Sequence, residues 1–188
     1  ERPEAERALG WRHVEAEIQS GVATGVVAIG ELGLDKNRKH LAGADVQLRW
    51  KTTALQFARA CGLAIVLHVV GWHGHALAAL RAVGGPWRGV VHRFSGTPEA
   101  AGAYQALGLH VSLALEPRFD RGRRAEIARA IAPNRLVVES DWPFGDLDYP
   151  AALVAVRALA GELAVARAEA PDDLIGRSNA NCLRLFRL

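Results

Sequence analysis

Gly25-Val-Val-Ala-Ile-Gly30-Glu31-Leu-Gly-Leu-Asp35 opens as a nearly continuous apolar, β-branched run and closes on two carboxylates. A strand buried on both faces reads this way, because neither face is left to carry alternating polar residues. Four later runs follow the same plan: Ala64-Ile-Val-Leu-His68, Gly89-Val-Val-His92, Leu109-His-Val-Ser-Leu113 and Arg135-Leu-Val-Val-Glu139. Between them lie Ala44 to Cys61, Gly74 to Val83, Pro98 to Leu107 and Arg123 to Ile131, each with apolar residues at helical spacing. Leu48, Ala54, Leu55 and Ala58 share one face of the first. Thr97-Pro98-Glu99 opens the third with a capping residue followed by proline at the first helical position. The last part, Pro150 to Ala168 and Pro171 to Leu185, reads as two helices broken at Ala170-Pro171.

Strand–helix alternation five times over implies an α/β fold with a parallel sheet and right-handed crossovers. Five strands fit either a doubly wound sheet or part of a (β/α)8 barrel. No glycine-rich phosphate loop follows any strand, which weakens a nucleotide-binding sheet. No repeat, low-complexity tract or linker interrupts the 188 residues, so a single domain is expected over residues 1–188. No apolar run approaches the roughly 18 residues of a membrane span, and Glu1 to Glu17 is too polar for a secretory signal. Cys61 and Cys182 are too few for a disulfide framework and lack zinc-site spacing. These features lead to an expectation of a cytoplasmic chain with no membrane and no obligate protein partner. A net charge of +3 suits a polyanion only weakly and identifies no substrate. The chain contains no methionine, so a processed N-terminus or a piece of a longer protein is expected.

The strand ends carry the chemistry. The first run leads straight into Glu31, the second ends at His68, the third at His92, and the fifth is followed by Asp141. The spacing from His92 to Asp141 is about double that from His68 to His92, as expected if the Leu109 strand intervenes without supplying a ligand. In a barrel the C-terminal strand ends converge on one mouth, where active sites are built. Imidazoles suit zinc, manganese or nickel, and carboxylates bridge cations or hold harder ones. A bound cation polarises a phosphoryl or carbonyl oxygen and lowers the pKa of its water, and a nearby carboxylate can take the proton. A single strand-end histidine is more often a packed or solvated residue. Four such residues in phase argue for a metal centre, with their donor atoms expected inside a region of about 10 Å holding cations about 3.5–4 Å apart.

The words around these residues resemble the TatD family of metal-dependent hydrolases. Gly30-Glu31-Leu32-Gly33-Leu34-Asp35 is similar to its GExGLD signature, and Val91-His92-Arg93-Phe94-Ser95-Gly96 to its HxFSG. Glu139-Ser140-Asp141-Trp142-Pro143 resembles an ETDxP-like strand end, and Asn181-Cys-Leu-Arg-Leu-Phe186 the closing N-x-x-x-LF helix. The order and spacing agree from Gly25 onward. The resemblance implies a metal-dependent (β/α)8 barrel and hydrolysis, commonly of DNA phosphodiesters. It implies Glu31, His68, His92 and Asp141 as ligands of divalent cations, two in number and zinc, manganese or magnesium in kind. Asp141 would also be the catalytic base, and DNA or another phosphoester the partner molecule.

Departures from the family pattern accompany the match. The family begins with a strand bearing an HxH pair, whereas His13 is the only histidine before Glu31 here. His73-Gly-His75 has that spelling but follows a later strand. The chain is therefore expected to hold about strands four to eight, the C-terminal portion of the barrel. Val70 stands where the family often has arginine, and Leu115-Glu116-Pro117 replaces a Gly-bearing segment. Two other readings stay open: a metal-dependent hydrolase of an amide, lactone or small phosphoester, and a non-catalytic barrel fragment. Lys36, Arg38, Lys39 and His40 either contact phosphate or form a solvated basic loop. Trp72 and Trp142 pack at the rim or stack on a base. Ser95 lacks the elbow and partners of a nucleophile.

Overall fold

The computed structural model describes residues 16–17, 20, 25–40, 42–115, 120–143 and 148–188; His13 and Glu116-Pro117 lie outside them. The strands are β1 (Ala28–Asp35), β2 (Ala64–Val70), β3 (Gly89–His92), β4 (His110–Leu113) and β5 (Leu136–Val138). The helices are α1 (Ala44–Ala60), α2 (His73–Val83), α3 (Pro98–Ala106), α4 (Arg121–Ala130), α5 (Tyr149–Arg167) and α6 (Pro171–Phe186). All strand pairs are parallel and the sheet order is β1-β2-β3-β4-β5. That order never reverses, which removes the doubly wound alternative, since such a sheet changes direction at a switch point.

The sequence pattern explains the elements. β3 and β4 are buried at every position, as their apolar runs require. Thr97 Oγ1 accepts from Ala100 N at 3.3 Å and Pro98 occupies the first turn of α3. Asp120 and Asp148 cap α4 and α5 in the same way, each accepting a backbone N–H at 2.8 Å. Ile65, Leu67, Val91 and Val111 on the sheet meet Leu55 and Ala58 of α1 and Leu159 and Leu163 of α5 in one core.

Two expectations change. β1 does not end before Glu31 but continues through it to Asp35, with an irregularity between Ile29 and Leu32. Leu32 to Asp35 pair with Leu67 to Val70, so Gly33, not Glu31, stands level with His68, and His68 with His92. Gly30 makes the irregular approach feasible: a Cβ there would lie 2.6 Å from Val66 Cβ and 3.0 Å from Val66 O. The second change concerns α5, whose 19 residues are long and apolar enough, by length and composition only, to cross a membrane. Arg157 and Glu162 interrupt the apolar run and hid this in the sequence. In the fold, Leu159, Ala160, Leu163 and Ala164 are buried in the core, and Glu162 receives Arg124 of α4 through two bonds of 2.7 and 3.0 Å.

The closing helix has a clear task. Asn181, fully buried on α6, donates through Nδ2 to Pro133 O at 3.0 Å and Leu136 O at 2.7 Å. Ser178 Oγ accepts from Val138 N at 2.9 Å. Glu139 N bonds back to Leu113 O at 3.0 Å, so Val138 N points away from β4. α6 thus satisfies backbone groups on the outer edge of β5 that would otherwise be left without partners.

Candidate metal centre

His68 and His92 are register neighbours on β2 and β3, which sets their rings 5.4 Å apart, centroid to centroid. His68 Nδ1 lies 3.2 Å from His92 Nε2. Glu31 reaches across from β1, its Oε1 3.4 Å from His92 Nε2 and its Oε2 3.7 Å from His68 Nδ1. One donor atom from each of the three residues lies within 4.8 Å of the others. The Glu31 side chain is 54% exposed and that of His92 7%, so the group spans from solvent to core.

Asp141 follows β5 and sits on the other side of the His92 ring, with Oδ1 3.7 Å from Nδ1. Its Oδ2 is 3.0 Å from Arg93 Nη1. All four residues singled out in the sequence gather around His92, but only Glu31, His68 and His92 turn donor atoms toward a common point. Asp141 and Arg93 both adopt left-handed backbone angles, φ 62° and 45°. Non-glycine residues hold such angles where the surroundings over-determine them, commonly at functional sites.

Four neighbours escaped the sequence reading as site residues. Glu139 accepts from the Arg93 backbone N–H and from Ser112 Oγ at 2.5 Å, and its Oε1 lies 3.7 Å from His92 Nδ1. Ser112 is the one hydroxyl in the buried strand β4, and Glu139 stands two residues before Asp141; those were the available signals. Asp35 Oδ2 lies 3.7 Å from His68 Nε2. Arg93 brings a cation to the group through Asp141.

The charges respond to one another. Burial pulls the His92 pKa down, but the Glu139 bond and the charges of Glu139, Glu31 and Asp141 outweigh it and hold the pKa above the ordinary value. Burial pushes Glu139 up, yet its bonds to His92 and Ser112 leave it below the usual carboxylate value. Asp141 is raised by burial, with Glu139 and Glu31 adding to this against Arg93 and His92.

The group lines an open cleft of about 750 Å³ whose wall includes Arg38, Arg93 and Trp142. Arg38 pairs with Asp35 at 3.5 Å. Trp142 is half exposed and meets Tyr149 edge-on at 5.6 Å, whereas Trp72 packs against the core. Ser95 makes no side-chain hydrogen bond among the described residues. Two imidazoles and a carboxylate converging in this way fit a divalent cation by the chemistry of their donors.

Comparison with known proteins finds relatives in sequence and in fold. The chain is 34% identical over 139 residues to a deoxyribonuclease Tat-D of Schizosaccharomyces pombe, covering 70% of this chain and 43% of that protein. It is 31% identical over 199 residues to a 3'-5' ssDNA/RNA exonuclease TatD of Yersinia pseudotuberculosis, covering 96% of this chain and 74% of that one. The chain thus spans less than half of the first relative and about three quarters of the second. In fold it is similar to a TatD homologue of Escherichia coli, YjjV (TM-score 0.68, 23% identity, 93% of this chain and 70% of that one). It is also similar to a TatD family hydrolase of Entamoeba histolytica (TM-score 0.71, 18% identity, 85% and 63%). The TatD related DNase profile matches residues 6–187, and with the match spanning nearly the whole chain, this protein belongs to that family.

Proposed function

We propose that the chain forms strands four to eight of a (β/α)8 nuclease that hydrolyses phosphodiester bonds of single-stranded DNA or RNA with two divalent cations. The observation that carries this reading is the convergence of Glu31, His68 and His92 within 4.8 Å of one another in an open cleft. The nucleic-acid substrate is taken from relatives whose names specify ssDNA/RNA and deoxyribonuclease.

Glu31, His68 and His92 would hold one cation, and Asp141 would join donors from strands outside this chain in holding the second. A bound cation supplies Lewis acidity toward the phosphoryl oxygens and a water of lowered pKa. The chain's own residues supply the rest. Arg38 and Arg93 at the cleft wall attract the phosphodiester. Trp142 offers a half-exposed ring for a base to stack on. Asp141, steadied by Arg93, accepts the proton of the attacking water at Oδ1.

A 5'-labelled single-stranded oligonucleotide incubated with Mn²⁺ and a longer chain that carries the strands preceding β1 tests this. Shortening from the 3' end that a chelator stops is the expected result. Turnover confined to a parallel panel of amides, lactones and small phosphoesters would move the activity to small substrates. Turnover of nothing would favour a non-catalytic fragment.

A further inference from the structure

The end of the sheet opposite the metal centre carries a second cluster of charge. Arg88 precedes β3, His110 opens β4 and Arg135 precedes β5, whereas His92 closes β3 at the other end. The strands are parallel, so Arg88, His110 and Arg135 share one end of the sheet. Arg184, near the C-terminus of α6, joins them in lining a pocket of about 360 Å³. Trp87 and Asn134 contribute to its wall, and no aspartate or glutamate does.

The guanidiniums are held without being neutralised. Arg88 donates to Leu185 O at 2.8 Å and to Gly62 O at 2.6 Å, and Arg135 to Gly108 O at 2.6 Å. Arg184 donates to the Asn181 side chain. Such oxygens fix a guanidinium in place but leave its charge, and each guanidinium has five N–H groups to give. Among the described residues none of these arginines makes an ion pair. Burial and the neighbouring Arg187 charge lower the Arg88 pKa, a sign of like charges crowded together.

His110 adds a polar atom without a partner. It is 7% exposed, and its Nδ1 is buried with no hydrogen bond. Burial and the charges of Arg135 and Arg184 lower its pKa to about 4, against the carbonyls of Gly89 and Asn134. A buried polar atom of this kind is ordinarily met by a ligand or an ordered water. Arginines at a helix C-terminus commonly serve its last carbonyls, which accounts for Arg88 at Leu185 O and for the place of Arg184. It does not account for Arg135, for a cavity among the three, or for the bare nitrogen of His110.

We propose that this pocket is a second binding site, taking a phosphate group between Arg88, Arg135 and Arg184 with His110 beside it. Guanidinium forks match the paired oxygens of phosphate. At about 360 Å³ the pocket has the volume of a small-ligand site. The phosphate arrives either on a small monoester or within the backbone of a nucleic-acid strand. Barrel active sites are built at the C-terminal strand ends, so occupancy of this pocket is independent of the hydrolytic reading of the metal centre.

Titration with inorganic phosphate tests the site in metal-free protein that carries the strands preceding β1 and is ¹⁵N-labelled in histidine and arginine. The His110 ring and the Nε–H signals of Arg88, Arg135 and Arg184 should shift together and saturate, while chloride at equal ionic strength leaves them in place. Shifts confined to His68 and His92 would put the phosphate in the cleft and overturn the site. No saturable shift would leave water as the partner of His110 and overturn it equally. Arg184 is exposed, so Arg184→Gln spares the core; it should weaken phosphate binding at least about tenfold, the scale of one charge-assisted hydrogen bond. Arg121→Gln removes the same charge at the start of α4 and should leave binding unchanged; equal losses in both variants would mean attraction to net charge alone. Thymidine monophosphate and the dinucleotide dTpdT, which has no terminal phosphate, separate the two sources. Binding of the monophosphate alone assigns a small phosphate monoester, and binding of both assigns a strand backbone. Binding of neither overturns both sources and the site with them.

Discussion

At the scale of single residues, the roles proposed for Asp141 and Ser95 separate two chemistries. Asp141→Asn keeps an oxygen but loses the charge and the proton acceptor, so turnover should fall at least about 10²-fold, the scale of a lost general base. Ser95→Ala should stay within a few-fold, since among the described residues the Ser95 hydroxyl has no side-chain hydrogen bond to activate it. Turnover at saturating Mn²⁺, in a chain that carries the strands preceding β1, compares them, and the reverse pattern would mean serine chemistry. Lys51 makes a separate claim, about stability. Its Nζ is buried with no hydrogen-bond partner, and burial lowers its pKa from 10.5 to about 7. Between pH 7 and 10.5 the unfolded chain therefore binds a proton that the folded chain does not, and this group makes stability rise with pH across that window. The full penalty remains at pH 7 and below. Lys51→Met, of similar volume, should stabilise the fold at pH 7, by about 1.4 kcal/mol for every tenfold loss of proton affinity that burial imposes on the lysine. The gain over wild type should shrink toward pH 10.5. Urea unfolding at pH 7, 9 and 10 measures it, and a gain that does not change with pH would contradict the account.

At the scale of elements, the closing helix is where packing and polar satisfaction meet. Asn181→Ala removes the donor for two carbonyls, Pro133 O and Leu136 O, and should cost about 1–3 kcal/mol, the desolvation penalty of an unsatisfied buried group. A urea midpoint unchanged from wild type would show that water replaces the amide. The N-x-x-x-LF segment was visible in the sequence as a family word, yet its reason, bonding the free edge of β5, required the fold. The later strands were legible because the runs of β3 and β4 are buried at every position and those of β2 and β5 at most of them. Glu31 was legible as a residue but not in its height: the glycines at 30 and 33 disguise β1 as a run that stops, whereas it continues to Asp35. Glu139 and Ser112 were hidden for a different reason. Their meaning lies in a bond between β4 and the end of β5, and no periodicity along one strand records a contact between two. Asp35, four residues beyond Glu31, reaches His68 only because the β1–β2 register sets Gly33 level with it.

At the scale of the whole molecule, the proposed partial barrel has two edges with different chemistry. On the β5 side, Ser178 and Asn181 already satisfy the outward-facing Val138 N and Leu136 O. On the β1 side, among the described residues no strand pairs with the outer edge. Unpaired strand groups beside apolar side chains are a template for association. If the upstream strands of a barrel belong against β1, the 188-residue chain alone should self-associate or bind a hydrophobic dye. A longer chain carrying those strands should be monomeric and melt higher, by about 2–4 °C for each kcal/mol gained in a protein of this size. Sedimentation and thermal melts of the two chains measured together decide the matter. A 188-residue chain that is monomeric, binds no dye and melts as high as the longer one would mean that β1 needs no further strand and that the partial-barrel reading is wrong. The metal centre gives an independent check, because Asp141 approaches His92 at Nδ1 while Glu31 approaches it at Nε2. The longer chain should therefore take up a second equivalent of Mn²⁺ that the 188-residue chain does not, and equal stoichiometry in both would place every ligand within the residues present here.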